Sequence, residues 1–140
     1  MRYARWNASL LTGHATVDAQ HRELFALVND LNAATIVDRG DESTVAALSR
    51  ILSYATNHFS TEEALMDATD YPSSECHRSL HREFAATAQR LADEHAHGAD
   101  LTIGQLAAFM EAWLETHIRE EDLLLIEHVR EFERTHETAR

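Results

Sequence analysis

The chain has 140 residues, room for one ordinary domain with one core. Apolar residues make up 44% and charged residues 26%, which excludes a disordered or fibrous polymer. The net charge is −12 and all twelve basic residues are Arg, which excludes the clustered positive surface that nucleic acid or an anionic membrane requires.

Composition also favours helix over strand. Val and Ile number ten together, against 22 Ala and 16 Leu, and a single Pro with four Gly leaves little material for tight turns. One cysteine excludes an internal disulfide and suits a reducing compartment. No apolar run approaches the ~20 residues of a membrane span. The start, Met1 to Asn7, lacks the apolar stretch of a secretory signal, so the expected setting is cytoplasmic.

Turn signals divide a single domain, residues 1–140, into an N-terminal arm over 1–16 and four long segments. The first helix is predicted over about 18–37, ending before Asp38-Arg39-Gly40-Asp41. The second spans about 43–68 and stops at Asp70-Tyr71-Pro72, where Pro cannot continue a helix. The third spans about 74–96 and ends at His97-Gly98, a Gly C-cap pattern. The fourth spans about 102–130, opening at Thr102-Ile103-Gly104-Gln105, a capping-box pattern. Each segment carries the 3-4-3-4 spacing of one helical face: Val17, His21, Leu24, Val28, Leu31; Leu48, Ile51, Ala55, His58, Glu62, Leu65; His77, His81, Phe84, Ala88, Leu91; Ile103, Leu106, Met110, Trp113, His117. Short connections between long amphipathic helices imply antiparallel neighbours. The expected fold is all-α, an up-down-up-down four-helix bundle with an N-terminal arm.

His21, His58, Glu62, His77, His81 and His117 interrupt the stripes that should face the core. Burying an unpaired polar side chain costs a few kcal/mol, so six in one small core need a common partner. His58 with Glu62 and His77 with His81 are i,i+4 pairs, stacked on one face and able to reach the same or adjacent metals. Five imidazoles and a carboxylate exceed the usual four ligands of one zinc, so two bridged metals are the natural count. Donors without thiolate suit iron, although zinc and copper also accept imidazole. Two cations call for a further carboxylate after His117. Glu121 continues the i,i+4 pattern, whereas Asp122 at i+5 lies ~140° around an ideal helix and points inward only through a π-bulge, a kink or a helix end. Spacing alone favours Glu121.

These residues resemble the hemerythrin family, specifically bacteriohemerythrins. The likeness runs from Trp6 to about Leu125 through Gly13, Val17-Asp18, Gln20-His21, His58-Phe59, Glu62-Glu63, Met66, Tyr71-Pro72, His77-x-x-x-His81, Trp113 and His117-Ile118. Its last motif, His followed five residues later by Asp, matches His117 and Asp122, which moves the choice from Glu121 to Asp122.

The resemblance implies a non-haem di-iron centre, oxo- or hydroxo-bridged, that binds dioxygen reversibly. It assigns His77, His81 and His117 to one iron, His21 and His58 to the other, and Glu62 and Asp122 to the bridge. Leu24, Phe59, Trp113, Leu114 and Ile118 lie within a turn of ligands and are candidates for an apolar oxygen pocket, with ordinary core packing as the competing role. The implied protein is an oxygen carrier, store or sensor and no enzyme, kept ferrous by a separate reductase, and a monomer or weak homo-oligomer. The alternatives are a di-iron peroxidase, oxidase or nitric-oxide-handling enzyme, and a signalling module. Glutamate-rich di-iron oxidases use Glu-x-x-His pairs, unlike the five His and two carboxylates here.

Trp6 is placed across a bundle end or at the surface, and His14 reads as an exposed arm histidine, with an influence on the metal site as the alternative. Glu120 and Glu121 put charge beside the last motif. Leu123-Leu124-Leu125-Ile126 suggests a buried helix extension or a contact with another chain. His95 continues the third stripe near its end, and His97, His128 and His136 read as solvated. Cys76 and Glu63 adjoin ligands, but neighbours diverge by about 100° on a helix, so Cys76 reads as a structural or free thiol and Glu63 as solvent-facing.

Overall fold

The computed structural model describes residues 8–36, 41–98 and 103–138. The chain is a four-helix bundle, and no strand occurs among the described residues. A 3-10 turn, Ala8–Leu10, leads into α1 (Ala15–Ile36), followed by α2 (Asp41–Ala68) and α3 (Ser74–Ala96). The fourth arm is built of α4 (Ile103–His117), a π-helical turn (Ile118–Asp122) and α5 (Leu123–Thr138). α1 and α3 each pack against α2 and α4, so the four helices form a square around a shared interior. Trp6, the Asp38–Gly40 turn and Thr102 lie outside the described residues.

Local chemistry fixes the helix ends. Asp18, in the first turn of α1, accepts from Thr12 N (2.9 Å), Thr12 Oγ1 (2.8 Å) and Gly13 N (3.2 Å). His14 sits just before the helix, half-buried, and its Nδ1 accepts from Val17 N at 3.2 Å. It is a capping residue rather than the exposed arm histidine expected from the sequence. Gly13 takes φ +93°, a left-handed backbone conformation that selects glycine. α2 ends as a Schellman-type turn: Asp70 adopts φ 51° and Tyr71 N donates to Met66 O at 3.0 Å, ahead of Pro72.

The core divides into two apolar clusters. The larger gathers Leu24, Val28, Leu31, Ile51, Ala55, Phe59, Phe84, Leu106, Met110, Leu114 and Ile118 among others. The smaller is Val17, Met66, Leu125, Ile126 and Val129, with Leu65 and Tyr71 packed on it. Leu125 and Ile126 are fully buried there while Leu124 is 54% exposed, so the apolar run after the π turn is mostly a buried extension of the bundle. Along α1 the order is Val17, His21, Leu24; along α2 it is Phe59, Glu62, Met66; along the fourth arm it is Ile118, Asp122, Leu125. A polar layer therefore lies between two apolar ones.

Candidate metal centre

Seven side chains make up that layer, and none is more than 4% exposed: His21, His58, Glu62, His77, His81, His117 and Asp122. α1 supplies His21, α2 supplies His58 and Glu62 one turn apart, and α3 supplies His77 and His81 one turn apart. His117 ends α4 and Asp122 is the last residue of the π turn. The extra residue in that turn brings Asp122 back to the face of His117, so Asp122 is fully buried while Glu121 is only half-buried. The i,i+4 spacing that favoured Glu121 fails because the backbone is not α-helical there.

Their polar atoms form two overlapping groups, one of Glu62, His77, His81, His117 and Asp122 and one of His21, His58, Glu62 and Asp122, with ligand atoms within 4.8 Å of one another. Each carboxylate divides its oxygens between the groups. Glu62 Oε1 lies 3.0 Å from His81 Nε2 and 3.4 Å from His77 Nε2, while Oε2 lies 3.4 Å from His58 Nε2 and 3.8 Å from His21 Nε2. Asp122 Oδ1 is 3.1 Å from both His77 and His117 Nε2, while Oδ2 is 2.9 Å from His21 Nε2. His81 Nε2 and His117 Nε2 approach to 3.2 Å. Two groups of nitrogens joined by two split carboxylates is the donor pattern of a bridged dinuclear site.

The orientation of two of the rings is the one metal ligation requires. His81 Nδ1 faces the Glu63 carboxylate at 3.0 Å, and His58 Nδ1 faces Gln20 Oε1 at 2.6 Å while Gln20 Nε2 donates to Thr61 Oγ1. Both outer partners are acceptors, so Nδ1 carries the proton and the Nε2 lone pair points inward. For His81 that lone pair meets Glu62 Oε1 and the His117 nitrogen. Lone pairs so arranged repel unless a cation stands among them. His58 Nε2, Glu62 Oε2, His77 Nδ1 and both Asp122 oxygens make no hydrogen bond among the described residues. Buried polar atoms left in this state are costly, and coordination satisfies those that face inward.

Protons compete for the same places. Burial opposes charging His21, His77 and His117, but contact with Asp122 and Glu62 outweighs it and raises each from 6.5 to about 9. Burial likewise works against ionised Glu62, yet the surrounding histidines, His117 foremost, hold it well below the usual carboxylate range. Burial and Glu62 both push Asp122 upward, but His117 and His21 bring it down to about 2. The cluster thus draws positive charge strongly.

The five residues expected to line an oxygen pocket all pack near the layer. Leu24, Phe59, Leu114 and Ile118 are buried in the larger cluster, with half-buried Trp113 against it. Phe59 stacks on His81 (centroids 4.0 Å, interplanar 9°) and Trp113 on His117 (4.3 Å, 13°). The closest ring contacts of both aromatics are with the three-histidine group.

Two residues contribute more than spacing suggested. Glu63 is half-buried and bonded to His81 and Arg78, not solvent-facing, because its long side chain reaches across to α3. Gln20 holds His58 from the neighbouring helix. No periodicity within one helix reports such contacts; the adjacency of Gln20 to His21 and of Glu63 to Glu62 was the available signal. His128 is half-buried and donates to Thr69 O at 2.6 Å, whereas His97 and His136 are exposed. Cys76 is an exposed free thiol.

A bacteriohemerythrin of Pseudomonas aeruginosa strain LESB58 is 28% identical over 132 residues, covering 93% of this chain and 84% of that protein. One from Stenotrophomonas maltophilia strain R551-3 is 28% identical over 139 residues, covering 96% and 89%. The crystal structure of a wild-type hemerythrin superposes with a TM-score of 0.78 at 26% identity, covering 89% of this chain and 96% of that one. The profile of the hemerythrin HHE cation binding domain matches residues 12–129, and the chain belongs to the hemerythrin family.

Proposed function

We propose that the protein binds dioxygen reversibly at a di-iron centre held by His21, His58, Glu62, His77, His81, His117 and Asp122. The observation that carries this reading is the division of each carboxylate between two groups of inward-facing imidazoles. Family membership supports iron as the metal and dioxygen as the ligand. When bound, a pair of ferrous ions supplies the two electrons that reversible dioxygen capture requires.

The chain's own residues do the rest. Glu62 and Asp122 hold the two groups at one separation, and their negative charge balances two cations. The group with His21 and His58 offers one protein donor fewer than the group with His77, His81 and His117, so the small neutral ligand enters there. Leu24, Leu114 and Ile118, all buried, keep water from the layer on its larger apolar side, and Val17, Met66 and Leu125 do so on the other. A dry surrounding withholds the protons that would convert carriage into turnover. Five imidazoles against two carboxylates also leave the centre poorer in negative charge than a glutamate-rich oxidase site.

Iron-loaded protein, reduced anaerobically, is to be cycled between air and deoxygenation while its visible spectrum is followed. A band that appears with dioxygen and vanishes on its removal through repeated cycles is expected. Loss of the band after the first exposure, with one hydrogen peroxide released per ferrous pair as both ions are left ferric, would overturn reversible carriage; peroxide released repeatedly when an external reductant is supplied would favour catalysis.

A further inference from the structure

The two halves of the layer differ in what stands behind their histidines. Behind His81 is a carboxylate: Glu63 Oε2 accepts a hydrogen bond from His81 Nδ1 at 3.0 Å. Arg78 fixes that carboxylate from outside, through Nη1 to Glu63 Oε1 at 3.1 Å and Nη2 to the Glu63 carbonyl at 3.4 Å, and is itself tied to Asp67 at 2.6 Å. Arg78 thus helps to hold the carboxylate against His81. Behind His58 is a neutral amide, Gln20 Oε1, at 2.6 Å. The rings differ in confinement as well. Phe59 lies flat on His81 and Trp113 flat on His117, whereas the ring neighbours of His58 among the described residues are edge-on or tilted, His21 at 4.6 Å and 71° and Phe59 at 5.9 Å and 49°.

An imidazole that donates to a carboxylate is a more basic ligand than one that donates to an amide, and a ring already clamped loses less freedom on coordination. Resting on the dinuclear reading above, we propose that Glu63 is a positioning residue that acts through His81 to make the two metal positions unequal. The position at His77, His81 and His117 fills first and holds its ion more tightly; the position at His21 and His58 fills second and exchanges more readily. Outer partners of this kind change metal affinity by about 10- to 100-fold when altered, enough to order the two steps.

The test is anaerobic titration of the metal-free protein with cobalt(II) alone, read by its visible absorption and by competition with a chromophoric chelator. Cobalt removes dioxygen chemistry from the readout. The wild-type chain should load in two steps, the first tighter by about tenfold or more. Glu63→Gln should weaken the first step by about 10- to 100-fold and move the second far less. Gln20→Glu places a carboxylate behind His58 and should tighten the second step, a gain that loss of structure cannot imitate and that stands even if the Glu63 variant fails to fold. Equal affinities in the wild type, equal weakening of both steps by Glu63→Gln, or no tightening by Gln20→Glu would overturn the proposal while leaving a two-metal site intact. A chain that takes up no cobalt would overturn the dinuclear reading itself.

Discussion

Glu62 and Asp122 are the residues on which the layer turns, because each serves two groups of imidazoles with one oxygen apiece. Without a metal their charge is met by protons on His21, His77 and His117, each raised to about 9. The sign follows directly. A group whose folded value stands above its unfolded value of about 6.5 stabilises the fold fully below that pH and loses the contribution as pH rises through about 9. The melting temperature of the metal-free protein should therefore fall as pH is raised from 6.5 to 9. Metal binding should run the other way, tightening with pH as protons cease to compete. A pH titration of melting curves with and without metal separates the two trends, and a metal-free protein that gains stability over that window would contradict the charge assignment. At this scale six of the seven layer residues were legible as polar interruptions of apolar stripes. Glu63 was misjudged because its role depends on the packing of α3 against α2, which one helix's periodicity does not contain.

At the scale of the element, the π turn decides which carboxylate enters the core. Residues 118–122 wind with one residue more than an α-turn, so Asp122, five after His117, returns to its face and Glu121 does not. Asp122→Asn should lower iron content sharply, and Glu121→Gln should leave it close to wild type. Metal analysis of the two purified variants checks this, and the reverse pattern would show that the α-helical spacing governs after all. The four helices themselves were legible from their 3-4 spacing, and the Pro72 stop coincides with the Schellman-type end of α2. The π turn was not: His117 and Asp122 require it only if both are ligands, and that premise came from resemblance rather than from spacing. The cap formed by His14 and Asp18 was likewise hidden, since it depends on where the arm folds back.

For the whole molecule, a polar layer between two apolar clusters means that, on the proposed reading, metal binding and stability are coupled. Free metal at 1,000 times its dissociation constant contributes about 4 kcal/mol. In a chain of this size each kcal/mol moves the melting temperature by about 3 °C, so loading should raise it by roughly ten degrees. Calorimetry of metal-free and loaded protein gives the difference, and coincident transitions would argue that the layer is satisfied without coordination. Among the described residues no helix is long and apolar enough to cross a membrane. The most direct measurement of the central claim is anomalous scattering at the iron edge from crystals of the loaded protein. Two peaks are expected, one at coordinating distance from the Nε2 atoms of His77, His81 and His117 and one from those of His21 and His58, with Glu62 and Asp122 between them. A single peak, or an interior without any, its imidazoles bonded only to neighbouring side chains, would contradict the account.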